Sequence, residues 1–197
     1  GRPRALQSVE IEDIIRRFAT AAAVAEEAGF DGVQIHGAHG YLISQFLSPH
    51  TNRRDDAWGG DASRRRHFVI EVVRAVRAAV SPTFSVGLKL NSADFQRGGF
   101  DDEESMQVAA AIDAEGVDLL EVSGGTYESA KMFEETVPTR ASSERREAFF
   151  LEYVERVRDR VKAPLMLTGG LRTRDGIESA LASGVDVAGL ARPLAFD

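Results

Sequence analysis

The sequence has 197 residues, a formal net charge of −7, 43% hydrophobic and 28% charged residues, and no cysteine. That length suits one domain with a sizeable core, the charge offers no concentrated basic surface to a nucleic acid, and thiol catalysis, iron–sulfur ligation and disulfide frameworks are excluded. No run approaches the roughly twenty apolar residues of a membrane span and the opening "GRPRALQSVEIED" has no signal-peptide core, so a cytoplasmic setting without a membrane partner is expected.

The hydrophobic period then alternates between helix and strand values along the chain. A first helix is expected over 9–28, with Ile11, Ile14, Ile15, Phe18, Ala22 and Ala25 on one face. Ser8 is its expected cap, and Glu10, Glu12 and Asp13 favour its positive end. Gly29 stops it and "DGVQIH" follows as a short buried strand. The same junction returns as "EGVD" at 115–118 and "SGVD" at 183–186, each with a glycine suited to the left-handed position that ends a helix. Further helices are expected near 63–80, 101–115, 143–161 and 174–183, and strands near 32–36, 84–90, 118–123, 165–168 and 186–190.

Five helix–strand units in series imply a parallel sheet with helices packed outside it. An open doubly wound sheet and a (β/α)₈ barrel compete. Polar residues stand at the C-terminal end of each strand: His36, Lys89, Ser123 with Gly124 and Gly125, Thr168 with Gly169 and Gly170, and Ala191 with Arg192. A barrel gathers such ends on one rim, whereas an open sheet spreads them, so the barrel is the expected fold. A whole barrel typically takes about 250 residues. The expectation is therefore a single partial-barrel domain over 1–197, with three N-terminal strands and a final helix absent. Open sheet edges invite association, with a second copy or with the missing barrel half.

The stretch "IHGAHGYLISQFLSPHTNRRDDAWGG" carries the most chemistry: two of the four histidines lie three residues apart, followed by a tyrosine. With "AGFDGVQIH", "RRRHFVIEVVRAV", "GLKLNSADF", "GVDLLEVSGGTYE", "LMLTGG" and "GVDVAGLARPL", it resembles the Old Yellow Enzyme family of FMN-dependent NAD(P)H:flavin oxidoreductases, which are (β/α)₈ barrels. On this resemblance the chain corresponds to strands four to eight. His36 and His39 resemble the pair that hydrogen-bonds the carbonyl oxygen of an activated alkene, and Tyr41 matches the usual proton donor. Lys89 falls where the family places a cation beside the flavin. Gly169 and Gly170 match one phosphate-binding turn, Ala191 and Arg192 the second, with alanine at 191 where glycine is commoner. The resemblance implies FMN as cofactor, NAD(P)H as reductant and a small unsaturated carbonyl compound as substrate.

The chemistry suits those residue types. Hydride addition to a conjugated carbonyl builds negative charge on its oxygen, which two imidazole N–H groups would stabilise more than the ground state. A phenol can supply the α-proton. An isolated H-x-x-H is more often incidental. A zinc site lacks the further ligands or the H-E-x-x-H pattern that would complete it, so no metal is expected. Lys89, inside an apolar strand, needs a partner, or else reaches past the strand end to solvent. Paired glycines after a strand are often a simple turn. His50 is expected as loop structure and His67 as a surface or packing residue on its helix. Asn52, Arg53, Asp55, Gly59 and Gly60 are expected as an ion-paired scaffold, "DDEE" at 101–104 as a helix's first turn, and Phe149, Phe150 and Tyr153 as helix core. Two rivals to the oxidoreductase stay open: an incompetent half-barrel acting through association, and a phosphate-binding aldolase or isomerase without flavin.

Overall fold

The computed structural model describes residues 4–123, 152–191 and 194. Helix α1 (Ser8–Glu27) leads into β1 (Gly32–Gly37), followed by α2 (Leu42–Leu47), α3 (Ala62–Arg65), α4 (His67–Ala79) and β2 (Ser85–Asn91). Then come α5 (Asp102–Ala114), β3 (Leu119–Ser123), a helix over 152–158 (α6), β4 (Leu165–Thr168), α7 (Arg174–Ala182) and β5 (Val187–Gly189). The described strands form one sheet in the order β1-β2-β3-β4-β5, every neighbouring pair parallel.

That order decides between the two architectures. A doubly wound sheet reverses its strand order at a switch point, which places helices on both faces. Here the order never reverses, and right-handed crossovers running in one direction keep the helices on one side. The sheet is an arc of a (β/α)₈ barrel.

The register sorts the side chains by face. Ile35, Leu88, Leu120 and Leu165 stand in one cross-strand row and are all buried. They belong to the same core cluster as Phe68, Val69, Val72 and Val76 of α4 and Met106, Ala109 and Ile112 of α5. One residue further along, His36, Lys89, Glu121, Met166 and Val187 form the next row, on the opposite face.

The strand entries carry an unexpected device. Gly116 and Gly184 are left-handed, as their sequence junctions require, and the aspartate two residues on does further work. Asp118 Oδ2 accepts from the Val86 N–H and Asp186 Oδ2 from the Leu165 N–H, both at 2.8 Å. Each carboxylate also pairs with an arginine from the preceding helical layer, Arg77 and Arg158 respectively. The repeated Gly-Val-Asp thus ties a strand's start to its neighbour strand and to a helix.

Some expectations need correction. Ser8 is the first helical residue of α1 rather than its cap; Gln7 holds that position, and its N–H donates to Glu10 at 2.8 Å. The helix expected over 63–80 is two, broken at Arg66. There Arg65 turns inward and donates to the carbonyls of Leu47 and Gly60, which ties α3 to the loop beneath it. The part of the fourth expected helix before residue 152, with Phe149 and Phe150, lies outside the described residues. Among the described residues no helix is long and apolar enough to cross a membrane.

Candidate active site

β1 ends in the histidine motif. His36 projects from the face opposite the helices, opposite Lys89 in the register, and is exposed. Gly37 and Ala38 continue the chain, and His39 then adopts φ 62°, a left-handed backbone. For a residue with a Cβ that conformation costs roughly 1–3 kcal/mol, and it persists only where neighbours enforce it. The His39 N–H donates to Asn91 Oδ1 at 3.1 Å, and its Nε2 lies 2.8 Å from Ser123 Oγ. Tyr41 is the N-cap of α2 and is 50% exposed.

The turn brings the three rings together. The His36 ring centroid is 5.4 Å from that of His39 and 4.9 Å from that of Tyr41. Burial lowers the His39 pKa to about 4, with the charge of Lys89, and in acid that of protonated His36, adding to the effect against a smaller opposing pull from Glu121. Partial desolvation of the ring and the charge of Lys89 lower that of His36 as well. Both rings are neutral at pH 7, and a neutral imidazole keeps one N–H to donate.

Lys89 finds a partner that the sequence did not suggest. Its Nζ lies 2.7 Å from Glu121 Oε1, next to it in the register on β3. Burial raises the Glu121 pKa, but hydrogen bonding to the carboxylate, led by Lys89 and joined by Thr168 and Gln34, together with the Lys89 charge outweighs that cost and holds the carboxyl below its ordinary value. Glu121 was missed because "DLLEVS" reads as a buried apolar strand. A lone glutamate in such a strand, one register step from a lone lysine, was the available signal.

Gly169 and Gly170 follow β4 directly with φ of 122° and 78°, conformations that side-chain-bearing residues rarely adopt. Ala191 is exposed, just beyond β5. Thr168 and Gly189 are register partners, so the two turns leave adjacent strands. A Cβ at Gly189 would stand 2.0 Å from Thr168 Oγ1, which shows how closely β5 packs on β4 there. Arg192, Gly124 and Gly125 lie outside the described residues.

The loop after the motif is scaffold, though with different pairs than expected. Asn52 is 8% exposed and donates to the carbonyls of Phe46 and Trp58 at 2.7 and 2.8 Å. The ion pair is Arg54 with Asp56 rather than Arg53 with Asp55. The Arg53 side chain donates to the His50 carbonyl, and Asp55 accepts through its backbone from Arg64. His67 stacks on Trp58, centroids 4.5 Å apart, and His50 Nε2 lies 3.1 Å from the Arg97 carbonyl. Asp101 caps α5, while Asp102 pairs with Arg156 and Glu103 with Arg160 across to the α6 segment. Tyr153 is 2% exposed in the core, its hydroxyl 2.7 Å from Ser105 Oγ.

The profile of the NADH:flavin oxidoreductase / NADH oxidase family matches residues 2–197, and the chain belongs to that family. It is 42% identical over 205 residues to the NADH-dependent flavin oxidoreductase iliE of Hypocrea jecorina, covering 100% of this chain and 50% of that protein. It is 38% identical to the NADH oxidase of Thermoanaerobacter brockii, covering 100% of this chain and 29% of that one. Among solved structures, 2-naphthoyl-CoA reductase in complex with 2-naphthoyl-CoA superposes with a TM-score of 0.85 at 31% identity, over 96% of this chain and 28% of that one. Morphinone reductase in complex with tetrahydroNAD gives 0.74 at 30% identity, over 98% and 48%. The chain thus spans half or less of the length of these proteins.

A flavin suits the residues present. Lys89 has three N–H donors, and one bond to Glu121 leaves two for a ligand. The imidazoles beside it are neutral, so they add no repulsion. The consecutive left-handed glycines lie on the same end of the sheet, where turned backbone amides suit a phosphate.

Proposed function

We propose that this chain contributes the substrate-binding half of an FMN-dependent, NAD(P)H-consuming oxidoreductase that reduces the C=C bond of small α,β-unsaturated carbonyl compounds. One observation carries the reading: His36, His39 and Tyr41 converge beside Lys89 on the sheet face away from the helices. FMN, when bound, supplies the hydride to the β-carbon.

His36 and His39 donate N–H groups to the substrate carbonyl oxygen and oppose the negative charge that builds there. Because both are neutral, they gain most as that charge develops and bind the ground state less strongly, which favours the transition state. Tyr41 gives its phenolic proton to the α-carbon, and its half-exposed position lets water restore it. Lys89, held by Glu121, offers its remaining N–H donors to the flavin ring. Gly169, Gly170, Ala191 and Arg192 hold the phosphate, with backbone amides and one guanidinium in those roles. The family match and the NADH-dependent relatives support flavin chemistry over the aldolase or isomerase alternative.

The test joins this chain to the remainder of the Hypocrea jecorina relative and separates the half-reactions. Tyr41→Phe slows alkene reduction by roughly 10²-fold, the usual worth of a placed acid, and leaves flavin reduction by NADH unchanged. Equal losses in both half-reactions contradict the proton-donor role.

A further inference from the structure

His39 is held at two points by side chains that no catalytic role yet uses. Asn91 and Ser123 are register partners at the ends of β2 and β3, 1% and 6% exposed. Asn91 takes the His39 N–H on Oδ1, and its own Nδ2 points to Asp94 Oδ1 at 3.5 Å, so the amide has one sensible orientation. The Ser105 hydroxyl donates to the Asn91 carbonyl at 2.6 Å and fixes the strand end itself. This clamp enforces the left-handed backbone at His39.

The ring contact bears on chemistry. A hydroxyl can donate or accept, so Ser123 Oγ at 2.8 Å from Nε2 settles which His39 nitrogen carries the proton only through the sense of the bond. His36 has no such freedom. The Ala38 N–H approaches its Nδ1 at 3.4 Å, and a backbone N–H only donates, so Nδ1 holds the lone pair and Nε2 the proton.

We propose that Ser123 is a positioning residue for His39, its hydroxyl donating to Nε2 so that Nδ1 carries the proton and is the donor offered to a ligand oxygen. The inference rests on the reading of the two imidazoles as carbonyl-binding donors. With the opposite sense, His39 would spend its one N–H on Ser123 and meet a developing oxyanion with a lone pair. The clamp and the hydroxyl together fix where the ring stands and what it presents, the usual task of groups behind a working histidine.

Long-range ¹H–¹⁵N correlation of the imidazole nitrogens in the full 197-residue chain at pH 7 reads the tautomer directly, with His39→Gln assigning the signals. The expected result is the Nδ1–H pattern in the wild type and in Ser123→Thr, with the Nε2–H pattern gaining population in Ser123→Ala. An Nε2–H pattern in the wild type, or an identical pattern in Ser123→Ala, overturns the proposal. If Ser123→Ala loses its dispersed amide spectrum, the wild-type and Ser123→Thr patterns decide alone. p-Nitrophenol titrated into the same variants of the FMN-loaded barrel, completed with the rest of the Hypocrea jecorina relative, tests the underlying reading separately: a tautomer that shifts with no loss of phenol affinity leaves Ser123 as the tautomer-setting residue and removes the carbonyl-binding role.

Discussion

Glu121 and Lys89 form an ion pair across the β2–β3 register, with 2.7 Å between Oε1 and Nζ, on the sheet face that bears His36. The carboxylate side chain is 6% exposed and the ammonium side chain 19%. Neither group is well solvated, so the ammonium depends on the carboxylate, and the carboxylate draws its largest single compensation from the ammonium.

Removing one partner should therefore cost more than removing both. Glu121→Ala lowers the unfolding free energy by about 3 kcal/mol, because it strands a largely buried ammonium. The double variant Lys89→Met with Glu121→Ala loses less than the sum of Lys89→Met and Glu121→Ala alone. Urea unfolding of the four proteins gives the coupling, and strict additivity would show the pair to be energetically idle.

The depressed pKa of His39 links stability to acid. Between its ordinary value of 6.5 and about 4, the unfolded chain binds a proton at this ring that the folded chain does not. Acidification through that window favours unfolding, and above 6.5 the ring contributes no pH dependence. His39 ring resonances should titrate with a midpoint near 4, and His39→Gln should flatten part of the stability loss over that window. A midpoint near 6.5 would mean that the ring is solvated and uncoupled from Lys89.

Asn52 supports the segment that presents Tyr41. Its amide satisfies two buried carbonyls at once, those of Phe46 and Trp58. Asn52→Ala leaves both without that donor and costs about 2 kcal/mol, read as a lower urea midpoint at unchanged slope. A variant with wild-type stability would show that water replaces the amide there.

Much of this was legible in the sequence because the periods alternate cleanly and glycine marks the junctions. Five strands, their parallel arrangement and the gathering of His36, Lys89 and Thr168 toward one end follow from that pattern. What escaped depended on distant partners. Asp118 and Asp186 stand in the sequence only as the first residues of expected strands, and only the fold brings their carboxylates to the amides of neighbouring strands. Short α2 was hidden inside "LISQFL", too brief for a helical period to register. Glu121 is submerged in an apolar strand, and its use, like that of Ser123 at the strand's end, comes from register, which sets the two beside Lys89 and Asn91. The proposed roles of Gly169, Gly170, Ala191 and Arg192 toward a phosphate rest on the resemblance, since a turn and a phosphate cradle share one local sequence.

The account depends most on His36 and His39 acting on one ligand oxygen. Calorimetric titration of p-nitrophenol into the FMN-loaded barrel, completed with the rest of the Hypocrea jecorina relative, tests this directly. His36→Ala and His39→Ala should each weaken phenolate binding by about tenfold or more, the worth of a hydrogen bond to a charged oxygen. Phenolate affinity unchanged in both variants would contradict the account.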